Sequence, residues 1–276
     1  MRILVLGGNG MAGHVIRTLL QEEREDEILY THRNTRHTEG YYLDCLQEEK
    51  VKELLLDVQP DYVINAIGLL NETAEQSPGD AIRINSLLPH IIKETVEEYG
   101  GRLIHISTDC VFSGKRGAYQ EADEPDSSSV YGRTKSLGEI IEPPHLTIRT
   151  SIIGPEKKDG IGLFHWFMKQ QREVNGYDHV FWNGVTTLEL AFFIHRALNE
   201  HWHGLYQLTC KIAVSKYDLL LLMKEVFEKD IDIHRLSKHI SDKTLRNTRS
   251  DIQYEHKTIK EMLVELRKWM MLHDYT

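Results

Sequence analysis

The chain has 276 residues, room for one large domain or two small ones around a buried core. Its 41% apolar and 27% charged residues suit a soluble globular protein, and a formal charge of -9 argues against nucleic acid as the main partner, since phosphate backbones call for a basic stripe. Scattered Cys45, Cys110 and Cys210 without zinc spacing, no apolar run of membrane-spanning length and no signal-peptide pattern predict a reduced, cytoplasmic protein with no metal site and no membrane partner.

The first predicted element is a buried strand, RILVL. Gly7, Gly10 and Gly13 follow it directly and open a helix, AGHVIRTLLQEE. Glycines between a strand and a helix permit a tight turn, a close approach of backbone to a pyrophosphate, and close helix–strand packing. With Asn9 and Met11 in the same loop, the segment is a candidate dinucleotide site. The next strand, EILYTH, ends in His32, Arg33 and Arg36, where an acid would hold a ribose 2′-hydroxyl. Cations there suit a 2′-phosphate, so NADPH is the expected cofactor, with NADH left open. Asp44 is a candidate for the adenine amino group or for the N-cap of the helix LQEEKVKELLLDVQP.

DYVINAIG reads as a short apolar strand, SLLPHIIKETVEEYG as a helix closing at Gly100, and RLIHIS and LTIRTSIIG as further strands. Strands alternating with helices imply right-handed crossovers and a doubly wound parallel sheet of Rossmann type, in the α/β class. The segment GKRGAYQEADEPDSSS reads as a polar surface loop near a site. From Pro155 onward the chain turns mostly helical (LFHWFMKQ, TLELAFFIHRALNEH, SKYDLLLLMKEVF, TIKEMLVELRKWMM), with short extended pieces VFWNG and GLYQLT between. A soft boundary at Gly154 divides a dinucleotide-binding domain over 1–154 from a closely packed substrate-binding part over 155–276.

Tyr131 and Lys135, in VYGRTKSLGE, stand at i and i+4 and share one helix face. A tyrosine hydroxyl has an ordinary pKa near 10, which a neighbouring ammonium is expected to lower, making a general acid or base. Ser107, Thr108 and Asp109 end a predicted strand, at the sheet edge where open α/β folds bind ligands.

With these residues in view the chain resembles the extended short-chain dehydrogenase/reductases, and within them the dTDP-4-dehydrorhamnose reductase group. The stretches that carry the resemblance are GGNGMAG, DYVINAIG, INSLLPHI, RLIHISTDCVFSG, VYGRTKSLGE, IRTSIIG and NGVTTLELA, over about residues 1–190. It implies that Tyr131 protonates a carbonyl oxygen as hydride arrives, that Lys135 holds the nicotinamide ribose, and that Thr108 hydrogen-bonds the reacting oxygen. The glycines would cradle the pyrophosphate, Ala66 and Ile67 would line the cofactor cleft, and Asn85 matches an asparagine near the family's site. The expected reaction is NADPH-dependent reduction of the 4-keto group of a nucleotide-linked 4-keto-6-deoxy sugar, either dTDP-4-dehydrorhamnose or a UDP-N-acetyl-6-deoxy-4-hexulose, in deoxysugar and surface polysaccharide biosynthesis.

A related dehydratase would need a glutamate where this chain has Cys110. A sugar-nucleotide epimerase and a non-catalytic NADP-binding regulatory subunit on the same fold are the alternatives. Two segments depart from the family pattern: Ser127–Ser129 before the tyrosine, and FWNGVTT in the second part. Asn183 and Thr186 are expected to line the sugar pocket beside Thr108, Asp109 and Tyr131, and Arg246 to meet the nucleotide phosphates. The partner is thus a nucleotide sugar, with a homodimer left open.

Overall fold

In the computed structural model, which describes residues 1–157, 160 and 162–275, the predicted alternation becomes a layered α/β fold. β1 (Arg2–Leu6) is buried from Ile3 onward, as a central strand covered on both faces must be. Its side chains alternate between two cores: Ile3 and Val5 belong to one, Leu4 and Leu6 to the other. Gly7 turns the chain into α1 (Met11–Glu23), whose buried Val15, Ile16, Leu19 and Leu20 form one stripe. β2 (Glu27–His32), β3 (Tyr41–Tyr42), α2 (Glu48–Val58) and β4 (Tyr62–Asn65) follow.

After β4 come α3 (Asn71–Gln76), α4 (Pro78–Ala81), a wider π-helical turn (Ile82–Leu87) and α5 (Leu88–Glu97). Pro89 gives the wide turn a cause: it has no N–H for the Asn85 carbonyl, so the regular ladder cannot run through. β5 (Arg102–Ile106), α6 (Val130–Leu137), β6 (Leu146–Arg149) and β7 (Ile152–Ile153) complete the first half. The second half contains α7 (Leu163–Lys169), β8 (Glu173–Tyr177), β9 (Val180–Trp182), β10 (Val185–Thr186), α8 (Thr187–Glu200) and β11 (Gly204–Gln207). It ends with β12 (Val214–Ser215), α9 (Lys216–Val226), β13 (Asp232–Leu236), β14 (Ser241–Asp242) and α10 (Ile259–Leu272).

The main sheet has seven parallel strands in the order β11-β6-β5-β4-β1-β2-β3. Strand order reverses between β1 and β4, which opens a crevice at their carboxyl ends. The sheet does not stop at Gly154: β11 pairs with β6, and α8 packs along α1. An unpaired β6 edge and an uncovered α1 stripe would be exposed without them. The second half therefore completes the first as well as adding to it. Among the described residues no helix is long and apolar enough to cross a membrane.

Candidate active site

The glycine turn is enforced by sterics. Gly7 has φ 77°, in the left-handed region, and a Cβ there would stand 2.8 Å from Ile67 Cγ1. A Cβ on Gly13 would stand 2.2 Å from the Gly7 carbonyl oxygen, so only glycine lets α1 pack onto the turn. Gly10 takes the N-cap position with no side-chain cap, and the first turn of α1 carries no acid. Its orphan N–H groups and positive dipole end thus face the crevice with no side-chain cap of their own, an arrangement that suits a phosphate, while Glu156 lines the same cleft.

Across the crevice, the Thr108 hydroxyl accepts from the Cys110 N–H at 3.1 Å and so shapes the turn after β5. Ser129, in the segment that departed from the family pattern, caps α6 by accepting from the Gly132 N–H at 3.0 Å. A Cβ on Gly132 would lie 2.1 Å from the Cys110 carbonyl oxygen. This close approach brings Tyr131 beside Thr108. A cleft of about 420 Å³ results, with Gly10, Met11, Ala66 and Ile67 on one side. Thr108, Asp109, Tyr131 and Lys135 line the other.

The electrostatics of the pair differ from expectation. Burial pushes the Tyr131 phenol above its ordinary value, with Cys110 and Asp109 adding to the rise and the Thr108 hydroxyl opposing it. Lys135 does not lower it. Its Nζ donates instead to the Ile106 carbonyl at 2.7 Å and meets His105 Nε2 at 3.1 Å. Burial pulls Lys135 itself down to about 8, against the attraction of Glu139. Sharing a helix face set the two side chains close, but the lysine tip reaches β5.

Several predicted residues lie elsewhere. Asn85 is fully buried and does not line the cleft; its amide bridges Leu69 O and Thr134 Oγ1 and accepts from Leu69 N–H. Thr186 is 1% exposed, caps α8 by accepting from the Glu189 N–H, and does not line the Tyr131 cleft. The Asn183 amide clamps Leu245 through both backbone groups, at 2.7 and 3.0 Å, and does not line the Tyr131 cleft. Together with Arg246 it borders a second depression of about 630 Å³. Asp44 caps no helix; its carboxylate accepts from the Leu46 N–H in a local turn, and Gln47 takes the N-cap of α2. Arg33 and Arg36 are exposed beyond β2, and neither forms an ion pair among the described residues. Asn9 lies in the glycine turn, half-buried.

The structure also brings in residues that local patterns did not single out. Lys216 and Lys243, from the second half, act on Asp109, and Lys243 Nζ reaches Cys110 Sγ at 3.5 Å. Thr244, next in the chain, lines the second depression, so the two hollows adjoin. Burial raises the Cys110 thiol to about 11. Asn65 and His105 stand behind Lys135, each fully buried in an apolar strand. Their signal was present as polar letters inside YVIN and RLIHI.

The family model described as RmlD substrate binding domain matches residues 1–271 of this chain. The probable low-salt glycan biosynthesis reductase Agl14 of Haloferax volcanii is 30% identical over 182 residues, covering 60% of this chain; the chain spans only 59% of that protein's length. The dTDP-4-dehydrorhamnose reductase of Escherichia coli is 30% identical over 205 residues, 70% of this chain and 69% of its own. Methionine adenosyltransferase 2 subunit beta of Danio rerio is 29% identical over 245 residues, 82% of this chain and 74% of its own. Among solved structures, a dTDP-4-dehydrorhamnose reductase of Clostridium acetobutylicum superposes with a TM-score of 0.84 at 24% identity, over 98% of this chain and 100% of that one. One of Bacillus anthracis, in complex with NADP, gives 0.85 at 19% identity, over 97% and 99%. At these identities the two structures bear on the fold.

Proposed function

The chain belongs to the RmlD substrate-binding-domain family, and from that premise we propose that it is an NADPH-dependent reductase of the 4-keto group of a nucleotide-linked 4-keto-6-deoxy sugar. The observation that carries this reading is the convergence of Tyr131, Thr108 and Lys135 in one cleft with the glycine turn. The uncapped α1 N-terminus and the space kept by Gly7 and Gly13 fit a dinucleotide pyrophosphate. When bound, the reduced nicotinamide supplies hydride to the carbonyl carbon.

The chain's own residues do the rest. The backbone from Asn9 to Met11 holds the pyrophosphate, Arg33 meets the 2′-phosphate, Asp44 meets the adenine, and Ala66 and Ile67 wall the cleft. Lys135 holds the nicotinamide ribose. Thr108 orients the carbonyl oxygen. Tyr131, kept as a phenol by burial, donates the proton to that oxygen. Dehydration would need a second strong acid beside Asp109, and a Cys110 thiol with its pKa near 11 does not supply one. The part from Pro155 onward offers Lys216, Lys243 and Arg246 to the nucleotide's phosphates. Either dTDP-4-dehydrorhamnose or a UDP-N-acetyl-6-deoxy-4-hexulose fits this chemistry.

The test is turnover of both sugars by the purified protein with NADPH, beside Tyr131→Phe. The variant is expected to bind NADPH unchanged and to lose about 100-fold or more in kcat. Normal turnover by Tyr131→Phe refutes the assigned acid. The similarity to a protein named as an adenosyltransferase subunit favours one second reading, a non-catalytic NADP-binding subunit. Wild-type protein that binds NADPH and reduces neither sugar would decide for it.

A further inference from the structure

Asn65 and His105 form a line with Lys135. The Asn65 amide nitrogen lies 3.2 Å from His105 Nδ1, and His105 Nε2 lies 3.1 Å from Lys135 Nζ. The line starts from a donor of fixed direction: the Ile67 backbone N–H donates to Asn65 Oδ1 at 3.1 Å. The Asn65 oxygen therefore faces Ile67 and its NH2 faces His105. Turning the amide over would set NH2 against N–H in a buried place, leaving donors without acceptors.

An NH2 group only donates, so Nδ1 accepts, and a neutral imidazole that accepts at Nδ1 carries its proton on Nε2. That N–H points at Lys135 Nζ. An ammonium has three donors and no acceptor, and would set N–H against N–H across 3.1 Å. A neutral amine offers a lone pair there and still donates to the Ile106 carbonyl at 2.7 Å. Protonated His105 gives no way out, because it would donate at both nitrogens and so oppose the Asn65 NH2. Burial also holds it well below the ordinary histidine range.

We propose that Asn65 and His105 are positioning residues that favour the neutral amine of Lys135 over its ammonium in the cofactor-free protein. Glu139, following α6, is the carboxylate acting on Lys135, and it is already paired with Arg149 of β6. His90 on α5 acts on His105 as a like charge, while Asp109 and Cys110 face Tyr131 and resist its ionisation. The proposal deepens the reading of Tyr131 as the proton donor and rests on it for its meaning. A neutral neighbour leaves the tyrosine as the phenol that reduction requires.

The test is NMR on the full chain without cofactor, with 15N observed at His105 and 13Cε at the lysines. It needs no substrate and no turnover, so it can fail while the reductase reading stands, and the reverse. The expected result is Lys135 titrating about two units or more below the ordinary lysine value of about 10.4, and His105 protonated at Nε2 at pH values above that midpoint, where the amine is neutral. Asn65→Asp should reverse the line: the carboxylate accepts from Nδ1–H, Nε2 becomes an acceptor, and the Lys135 midpoint rises by at least about one unit. A wild-type His105 protonated at Nδ1, a Lys135 midpoint at the ordinary value, or an unmoved midpoint in folded Asn65→Asp overturns the proposal. If Asn65→Asp does not fold, the wild-type tautomer and midpoint decide.

Discussion

Removing the Glu139 carboxylate tests what holds the floor of the cleft. Its oxygens accept from Arg149 Nε at 2.8 Å and Nη2 at 2.6 Å, and Oε1 also accepts from Ser107 Oγ at 2.7 Å. The Arg149 and Glu139 side chains are 4% and 6% exposed. Glu139→Ala leaves the guanidinium buried against the Phe112 ring, with the Glu121 carbonyl at 3.4 Å as its remaining hydrogen-bond acceptor. Stripping one partner from a buried pair costs about 3–5 kcal/mol. At about 2–4 °C per kcal/mol for a chain of this size, Tm should fall by roughly 6–20 °C. The assay is thermal unfolding by circular dichroism of Glu139→Ala, Arg149→Met and the double variant, near neutral pH. Most of the loss in Glu139→Ala comes from the stranded charge, so the double variant should recover much of it. A single-variant fall of under about 2 °C, or a double variant as unstable as the sum of the singles, refutes the reasoning.

Gly13→Ala places a Cβ 2.2 Å from the Gly7 carbonyl, and the displaced turn should weaken NADPH binding by about 1–3 kcal/mol, roughly 5- to 150-fold. A fluorescence titration with unchanged affinity would count against the turn as the cofactor site. Arg33→Ala should cost NADPH about 1–3 kcal/mol and NADH nothing, for loss of a charge-assisted phosphate contact. Equal losses for the two cofactors would remove Arg33 from the 2′-phosphate. His14 is fully buried, and burial lowers it from 6.5 to about 4. The unfolded chain takes up this proton below about 6.5 while the folded chain does not, so stability falls as pH drops from 6.5 toward 4, by about 2 kcal/mol at pH 5. Denaturant midpoints at pH 8 and pH 5 should show that loss in the wild type and a smaller one in His14→Gln. Parallel losses would show that His14 does not carry it.

The strands, the glycine turn and the Thr108–Tyr131–Lys135 set were legible because each is a local pattern read in order along the chain. An apolar run, a glycine spacing and an i,i+4 pair need no knowledge of distant residues. GLYQLT looked like a stray extended piece because nothing in it states that it pairs with β6, more than fifty residues earlier. Asn183 and Thr186 misled for a related reason. Polar letters near a site are equally good at holding backbone, and here Thr186 caps a helix while Asn183 clamps Leu245. The Asn65–His105–Lys135 line joins two strands and a helix, a meeting fixed only once β4 and β5 pair.

The sign of the Tyr131 shift shows where such reading stops. Placing an ammonium one helical turn from a phenol suggests a lowered pKa, because i and i+4 are neighbours on the helix surface. That argument fixes Cβ positions and says nothing of the lysine's far end. Lys135 has a long, flexible stem, and in a buried setting its tip goes where acceptors are, here the Ile106 carbonyl and the His105 ring. With the lysine tip tied to Ile106 and His105, burial decides, and it favours the neutral phenol. A neutral phenol is the form a carbonyl reduction consumes, whereas alcohol oxidation calls for the phenolate. The same burial that defeats the simple pairwise argument thus keeps Tyr131 in the form that can donate a proton.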